Sequence, residues 1–321
     1  GGHGPEAERG PVRPDGKEIA VDTGFNRAID IWRIDDEKVT TPATQNGIPS
    51  ALVYSPDGYY LAAGRSIVRL TKIAVNIWDA ATGELLRNIL PASPADDGSN
   101  DVTAIAFSPD SAFLAWSSRN AIEIRKVATG ELVKTLISES PKLFFGALAY
   151  SPDGKYIVSG DIPGTLKIWD VATGRSIKNI DAQIKEPGAV SSVGVVSYSP
   201  DMKYIVSAVH LTAVRPDASP KISVELKLWD AQSGSLIKNL VGHKYQISSV
   251  SFSPNGSYLA SVSRDNTIKI WDTRSGQLVK SASYPTANKY EAPVGVAFSP
   301  DGSTLIIAGG HAITVWQLNL K

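Results

Sequence analysis

The chain contains no cysteine, which excludes disulfides, thiolate metal sites and cysteine nucleophiles and leaves the redox compartment unmarked. It has no apolar run near the roughly 20 residues needed to span a bilayer, and its start, Gly1-Gly2-His3-Gly4-Pro5, holds no signal-peptide core. Net charge is lacking as well: 32 Lys plus Arg balance 32 Asp plus Glu. No overall field therefore draws the chain to nucleic acid or to an anionic membrane, and neither is expected as a partner. A soluble protein is expected, its compartment open, with the cytoplasm favoured.

Also absent are a glycine-rich phosphate loop before a helix, an EF-hand loop and a metalloprotease helix. His210, His243 and His311 are scattered through the chain without the ligand spacing of zinc. No metal and no cofactor is expected. Gly1-Gly2-His3 has the spacing that chelates Cu(II) through an amine, two amides and an imidazole if Gly1 is a true terminus, but a cloning scar is the plainer reading. Residues 1–9 are set apart as a tail or scar, and residues 10–321 are taken as one domain.

Of the 321 residues, 42% are hydrophobic and 20% charged, which is ordinary for a chain with a packed core. This length suits one large or two ordinary domains, and repetition decides for one. A turn signal recurs at Pro14-Asp15-Gly16, Pro56-Asp57-Gly58, Pro109-Asp110-Ser111, Pro152-Asp153-Gly154, Pro200-Asp201-Met202, Pro254-Asn255-Gly256 and Pro300-Asp301-Gly302. Proline sets the first corner, Asp or Asn bonds its own backbone, and Gly accepts positive φ.

Each turn precedes a short apolar segment and then an alternating one that ends near Trp, as at Ile77-Trp78-Asp79, Ile168-Trp169-Asp170, Leu228-Trp229-Asp230, Ile270-Trp271-Asp272 and Val315-Trp316. In Leu166-Lys167-Ile168-Trp169 the period is two, so Leu and Ile face one way and Lys faces water. A second turn follows most Trp-Asp pairs, as at Ala128-Thr129-Gly130, and leads to a fourth strand such as Leu132 to Leu136. Trp169, Trp229 and Trp271 are 60 and 42 residues apart, near the roughly 40 to 45 of a four-stranded blade with insertions.

With these motifs the chain resembles the WD40-repeat β-propeller family along nearly its whole length. The resemblance implies an all-β fold of seven four-stranded antiparallel blades, in which face-to-face stacking buries what one blade cannot bury alone. The last unit stops too soon for its own fourth strand, so its blade is expected to be incomplete or closed by the N-terminal segment. Gly1-Gly2-His3-Gly4-Pro5 is poor material for that strand.

The family pattern puts the Pro-Asp-Gly and Ala-Thr-Gly turns on one rim, which reads as structural. Insertions collect on the other rim, in the hairpins through Ser66 to Ile73 and His210 to Val224, and in the connections Pro91 to Asp101, Asp181 to Ala189 and Tyr284 to Ala292. Function is expected there, since loops on a rigid scaffold carry binding residues. Aligning the innermost strands places Ile48, Asp101, Phe144, Ser192, Gln246 and Ala292 at the channel mouth. Phe144 is an anchor candidate, and Arg119 and Arg264 in tight hairpins are candidates to pair with carboxylates or phosphates.

Arg65 and Arg69 with Lys72, and Arg215 in the later insertion, complete the binding set. Asp96, Asp97 and Asp101 are expected beside the first three, neutralising them or forming a bipolar docking site.

One unit carries the family's full polar set: His243, Ser261 or Ser263, Asp265 and Trp271. The resemblance makes it a rigidifying network. A hydrolase reading is disfavoured because the serine lies in a strand, spends its hydroxyl on Trp and has no oxyanion turn nearby. Elsewhere Pro163 replaces the Asp, and Arg125 replaces the Trp while Trp116 appears on the preceding strand as its packing substitute. The chain is read as a non-enzymatic scaffold for a protein or peptide, monomeric or part of a larger assembly. The alternative is a sensor or small-ligand domain of a larger signalling protein.

Overall fold

The computed structural model describes residues 11–22, 28–34, 39–44, 49–65, 75–90, 92, 102–118, 120–139, 144–186, 189–213, 223–285, 292–309 and 312–318. All regular structure in them is antiparallel β-sheet. The first sheet pairs β1 (Glu18–Asp22), β2 (Ala28–Arg33) and β3 (Val39–Thr44). The second holds β4 (Pro49–Tyr54), β5 (Tyr60–Arg65), β6 (Val75–Asp79) and β7 (Leu85–Ile89). In the third are β8 (Val102–Phe107), β9 (Phe113–Ser118), β10 (Ala121–Lys126) and β11 (Leu132–Ile137). The fourth comprises β12 (Phe144–Tyr150), β13 (Tyr156–Ile162), β14 (Thr165–Asp170) and β15 (Ser176–Asp181).

Longer strands build the fifth sheet: β16 (Ala189–Tyr198), β17 (Tyr204–Ala213), β18 (Ser223–Asp230) and β19 (Leu236–Leu240). The sixth has β20 (Ile247–Phe252), β21 (Tyr258–Ser263), β22 (Thr267–Asp272) and β23 (Leu278–Ser283). The seventh ends the described chain with β24 (Pro293–Phe298), β25 (Thr304–Gly309) and β26 (Ala312–Gln317).

The recurring turn explains the regular spacing. Ser55 donates its hydroxyl to Asp57 Oδ1 at 2.6 Å, the Tyr60 N–H donates back to Ser55 Oγ at 2.8 Å, and Gly58 sits at φ +75°. Where glycine is missing from the motif, Ser111 and Met202 still adopt φ of 58° and 61°, because the side-chain bonds and flanking strands impose the turn.

Sheets pack face to face, so both faces are core. One cluster joins Ala20, Ile29 and Ile31 of the first sheet to Leu52, Leu61 and Trp78 of the second. At the other end Ile19 packs on Ile306 and Ala308, so the first sheet also meets the seventh and the ring is closed by side-chain packing. This overturns the expectation that Lys167 faces water. It is half-buried, donates to Ser138 Oγ at 2.8 Å and lies 5.9 Å from the Trp169 ring centroid, and its counterparts Lys227 and Lys269 are buried. A neighbouring blade stands where a single half-exposed sheet would meet solvent, so the lysine stem lies along Trp and its ammonium finds oxygen.

The blade count is corrected in one respect. Six blades have all four strand positions filled: five by strands, and the first by β1 to β3 plus the Val12–Ile19 bridge, with Ala20 N–H bonded to Pro11 O at 3.1 Å. The seventh has three strands, and β26 pairs on one side only among the described residues. Gln317 and Leu318 follow Trp316 where other units place Asp and a glycine turn, so the local signal for a returning strand is missing. Residues 1–10, the expected source of a closing strand, lie outside the described residues.

Candidate functional site

Antiparallel succession puts the Pro-Asp-Gly turns and the turns after Trp-Asp at one end of every sheet, and the hairpins and inter-sheet connections at the other. On this second rim Phe144 opens β12 and is 51% exposed. Its register partner across the sheet is Ile162, also exposed. Val190 at the start of β16, Ile137 at the end of β11, and Tyr245 and Val241 before β20 are exposed on the same rim. Ile137, Phe144, Ile162 and Val190 thus stand at strand ends of the third, fourth and fifth sheets.

Gln246 and Arg264 come together at the sixth sheet, where the Arg264 N–H donates to Gln246 O at 2.8 Å and both residues are exposed. Ser192 and Ala292 are half-buried at their mouth positions. Arg65 ends β5 opposite Pro49, and its side chain lies outside the described residues. So do Asp101, Arg119, Arg69, Arg215 and Ile48, together with Lys72, Asp96 and Asp97, which leaves the expected charge cluster outside the described residues.

The segment from His210 to Val224 was expected as a loop, and that is corrected. β17 continues to Ala213 and β18 begins at Ser223, with His210 opposite Val224 and Leu211 opposite Ser223. On the other flank Ala189 pairs with Ala213. The insertion prolongs three strands, with Thr212 and Val224 supplying β-branched residues at paired positions opposite Val190 and His210.

The polar set of the sixth unit is assembled end to end. Trp271 donates its indole N–H to Ser261 Oγ at 2.9 Å, and Ser261 Oγ lies 2.8 Å from His243 Nε2. His243 Nδ1 is 3.1 Å from Asp265 Oδ2, and the carboxylate also accepts from Thr267 Oγ1 at 2.6 Å and Lys244 N–H at 2.7 Å. Burial works against the charge of Asp265, but the bonds from His243, Thr267 and Lys244 prevail and hold its pKa well below the usual carboxylate range. Ser261 is wholly buried between Trp271 and His243, so no substrate reaches this serine despite its triad-like connectivity. Ser263 instead donates to Tyr245 O at 2.8 Å.

Two sister sheets keep the Trp-Ser bond alone: Trp169 to Ser159 and Trp229 to Ser207, each 2.9 Å. The third sheet substitutes it. Trp116 is fully buried with its indole nitrogen unbonded, and Arg125 lies over it while pairing with Glu123 at 2.7 Å.

The channel between the innermost strands holds a cavity of about 240 Å³, lined by small residues including Ala51, Ala104, Ala147, Gly194 and Ser248, with Pro11 at the first sheet's place. Among the described residues no three His, Asp or Glu side chains are grouped to hold a metal, and no helix is long and apolar enough to cross a membrane.

Known proteins point the same way as the geometry. The family model for "WD domain, G-beta repeat" matches residues 130–170 and 234–272. An uncharacterized WD repeat-containing protein of Synechocystis sp. is 34% identical over 137 residues, 42% of this chain and 35% of that protein. The nuclear distribution protein PAC1 of Arthroderma otae is 27% identical over 256 residues, 74% of this chain and 52% of that one. The chain thus spans about a third to a half of the length of these relatives. Among solved structures, Kuenenia stuttgartiensis hydrazine synthase superposes with a TM-score of 0.76 at 18% identity, covering 99% of this chain and 97% of that chain; the likeness is one of fold.

Proposed function

This chain is a WD40-repeat β-propeller, and from that ground we propose that residues 10–321 act as one non-catalytic interaction domain that binds a protein or peptide across the insertion-bearing rim and channel mouth. The observation that carries this reading is the exposed apolar set Phe144, Ile162 and Val190 on adjoining strands of that rim, beside the three prolonged strands of the fifth sheet. Exposed anchors on a stiff support suit recognition of another chain. Arg264 and Gln246 supply polar groups at the edge of the same mouth. The sealed Ser261 favours a scaffold over an enzyme. A sensor of small ligands is the second reading, resting on the channel cavity of about 240 Å³.

The test is affinity capture from the native lysate with the wild-type chain and with a Phe144→Ala, Val190→Ala, Arg264→Ala variant of unchanged thermal midpoint. One specific partner is expected to be lost from the variant. If the same partners stay bound, the rim is wrong; if neither form captures protein, the small-ligand reading takes over.

A further inference from the structure

The outer edge of the seventh sheet differs from that of its neighbours. In the second to sixth sheets a fourth strand covers this edge and pairs in one register: Trp78 with Leu85 and Ile77 with Arg87, Trp169 with Ser176 and Ile168 with Lys178, Trp271 with Leu278 and Ile270 with Lys280. β26 carries the same ending, Val315-Trp316, but pairs only with β25 among the described residues. Val315 is 45% exposed, whereas Ile77, Ile124, Ile168, Leu228 and Ile270 at the same position are 4% exposed or less. Each of those five lies opposite an Arg or Lys of a fourth strand.

The edge of β26 is also unguarded. Natural edge strands are protected against further pairing by lysine, other charge or proline. The fourth strands follow this rule with Arg87, Lys134, Lys178, Lys238 and Lys280, whereas Ala312-Ile313-Thr314-Val315-Trp316-Gln317 holds no charge and no proline. Its Ile, Thr, Val and Trp are strong strand formers. β26 thus has the make-up of an interior strand.

The sister strands define what fits beside it. They read Leu85-Leu86-Arg87-Asn88-Ile89, Leu132-Val133-Lys134-Thr135-Leu136 and Leu236-Ile237-Lys238-Asn239-Leu240. The third residue carries its charge across to the next sheet, Arg87 to Ala128 O and Lys134 to Ala172 O, and the fifth, Ile89, Leu136 or Leu240, is buried in the core. Residues 1–10 and 318–321 contain no run of this kind. We propose that β26 receives, antiparallel, an extended segment of a partner protein that reads apolar, apolar, Lys or Arg, polar, apolar. Its basic residue lies opposite Val315 and its last apolar residue opposite Ile313. Main-chain hydrogen bonds give such an added strand its affinity, and the pocket for the buried side chain gives selectivity. The edge lies on the outer circumference, apart from the insertion rim, so this binding does not depend on the rim.

The fold itself supplies the probe. The fourth strand of the third sheet, made as a fluorescein-labelled, end-capped peptide Gly-Glu-Leu-Val-Lys-Thr-Leu-Ile-Ser, is titrated with the whole chain by anisotropy. Two further peptides carry Ser in place of the second Leu, or Glu in place of Lys. Val315→Lys, at an exposed position, sets a like charge opposite the lysine of the peptide and leaves the core intact.

Saturable binding is expected, about tenfold or more weaker for the Ser peptide, which lacks the buried side chain. It should be about threefold or more weaker in Val315→Lys at unchanged thermal midpoint, and there the Glu peptide should bind better than the Lys peptide. Phe144→Ala with Arg264→Ala on the insertion rim should leave binding unaltered. No saturable binding, equal binding of the Ser peptide, or wild-type affinity in Val315→Lys would overturn the site. Binding that appears only after removal of residues 1–9 would assign the edge to the chain's own N-terminal segment, and a dimer in sedimentation that Val315→Lys dissociates would assign it to a second copy; either result overturns the partner strand.

Discussion

The Arg125 guanidinium carbon lies 5.3 Å from the centroid of the Trp116 ring, so an arginine and a tryptophan on neighbouring strands of the third sheet do together what one Trp does in its sister sheets. Arg125 also bonds Glu123 at 2.7 Å, Gly130 O at 3.1 Å and Leu90 O at 3.3 Å, with Glu123 only 4% exposed. Arg125→Ala would leave a buried carboxylate unpaired, and a loss of about 3 to 5 kcal/mol is expected in urea denaturation. Arg125→Lys should recover little, since an ammonium neither forks to Glu123 nor stacks on Trp116. Combining Arg125→Ala with Glu123→Gln should return part of the loss, and a purely additive double mutant would show that the pair is not coupled.

Ser261 is the middle link between Trp271 and His243, at 2.9 and 2.8 Å. Ser261→Ala leaves the indole N–H and the imidazole nitrogen without a partner in a dry site, costing about 1 to 3 kcal/mol. Ser159→Ala in the fourth sheet strands only Trp169, whose N–H bonds Ser159 at 2.9 Å, and is expected to cost less. Denaturant midpoints of the two variants decide the order.

Asp265 gives the same network a pH signature. Its pKa is depressed in the folded chain, so the stability it contributes is present above the unfolded value near 3.9 and is lost as pH falls toward the folded value. Asp265→Asn should be less stable than wild type at pH 7, and the difference should shrink below about pH 4. A gap that persists unchanged to pH 2 would assign the effect to lost shape.

Motifs with local physics could be read in the sequence, and features created by a second blade could not. Pro56-Asp57-Gly58 announces its turn because Ser55, Asp57 and Gly58 satisfy one another within four residues. The order of strands around Trp169 or Trp271 follows from such turns. The burial of Lys227 does not, because its ammonium reaches Ala182 O at 2.9 Å in the preceding unit. Likewise Lys134 bonds Ala172 O, and Lys178 bonds Gln232 O, each across to the next sheet. Phe144 stood out as an aromatic at a rim position, whereas Ile162 became notable only once pairing placed it beside Phe144. Tyr54, Phe107, Tyr150 and Tyr198 end four innermost strands and converge only in the closed ring.

Gly160 tests that inter-blade fit directly. A Cβ on Gly160 would fall 2.3 Å from Val193 Cγ1 and 2.6 Å from its Cβ, both on the next sheet. Gly160→Ala is expected to cost about 1 to 3 kcal/mol through overpacking. Val193→Ala in the same chain removes the Cγ1 contact and keeps the Cβ one, so the double variant should recover part of the loss and be more stable than the sum of the single losses by at least about 0.5 kcal/mol. Simple additivity would mean that the fourth and fifth sheets separate to accommodate the methyl.

His210 sits at the junction of the fifth and sixth sheets, where its Nε2 accepts the Ile247 N–H at 3.2 Å. Burial, with Arg264 nearby adding repulsion, lowers its pKa from 6.5 to about 4. Between those values the unfolded chain binds a proton that the folded chain refuses, so stability falls as pH drops from about 6.5 to about 4, and His210 has no effect above that window. His210→Gln keeps an acceptor for Ile247 and cannot titrate. Its denaturation free energy should therefore vary less between pH 7.5 and pH 4.5 than that of wild type, by about 1 to 3 kcal/mol. Equal slopes in the two proteins would show that the proton enters the folded ring freely, and that the junction of these sheets opens on protonation without cost.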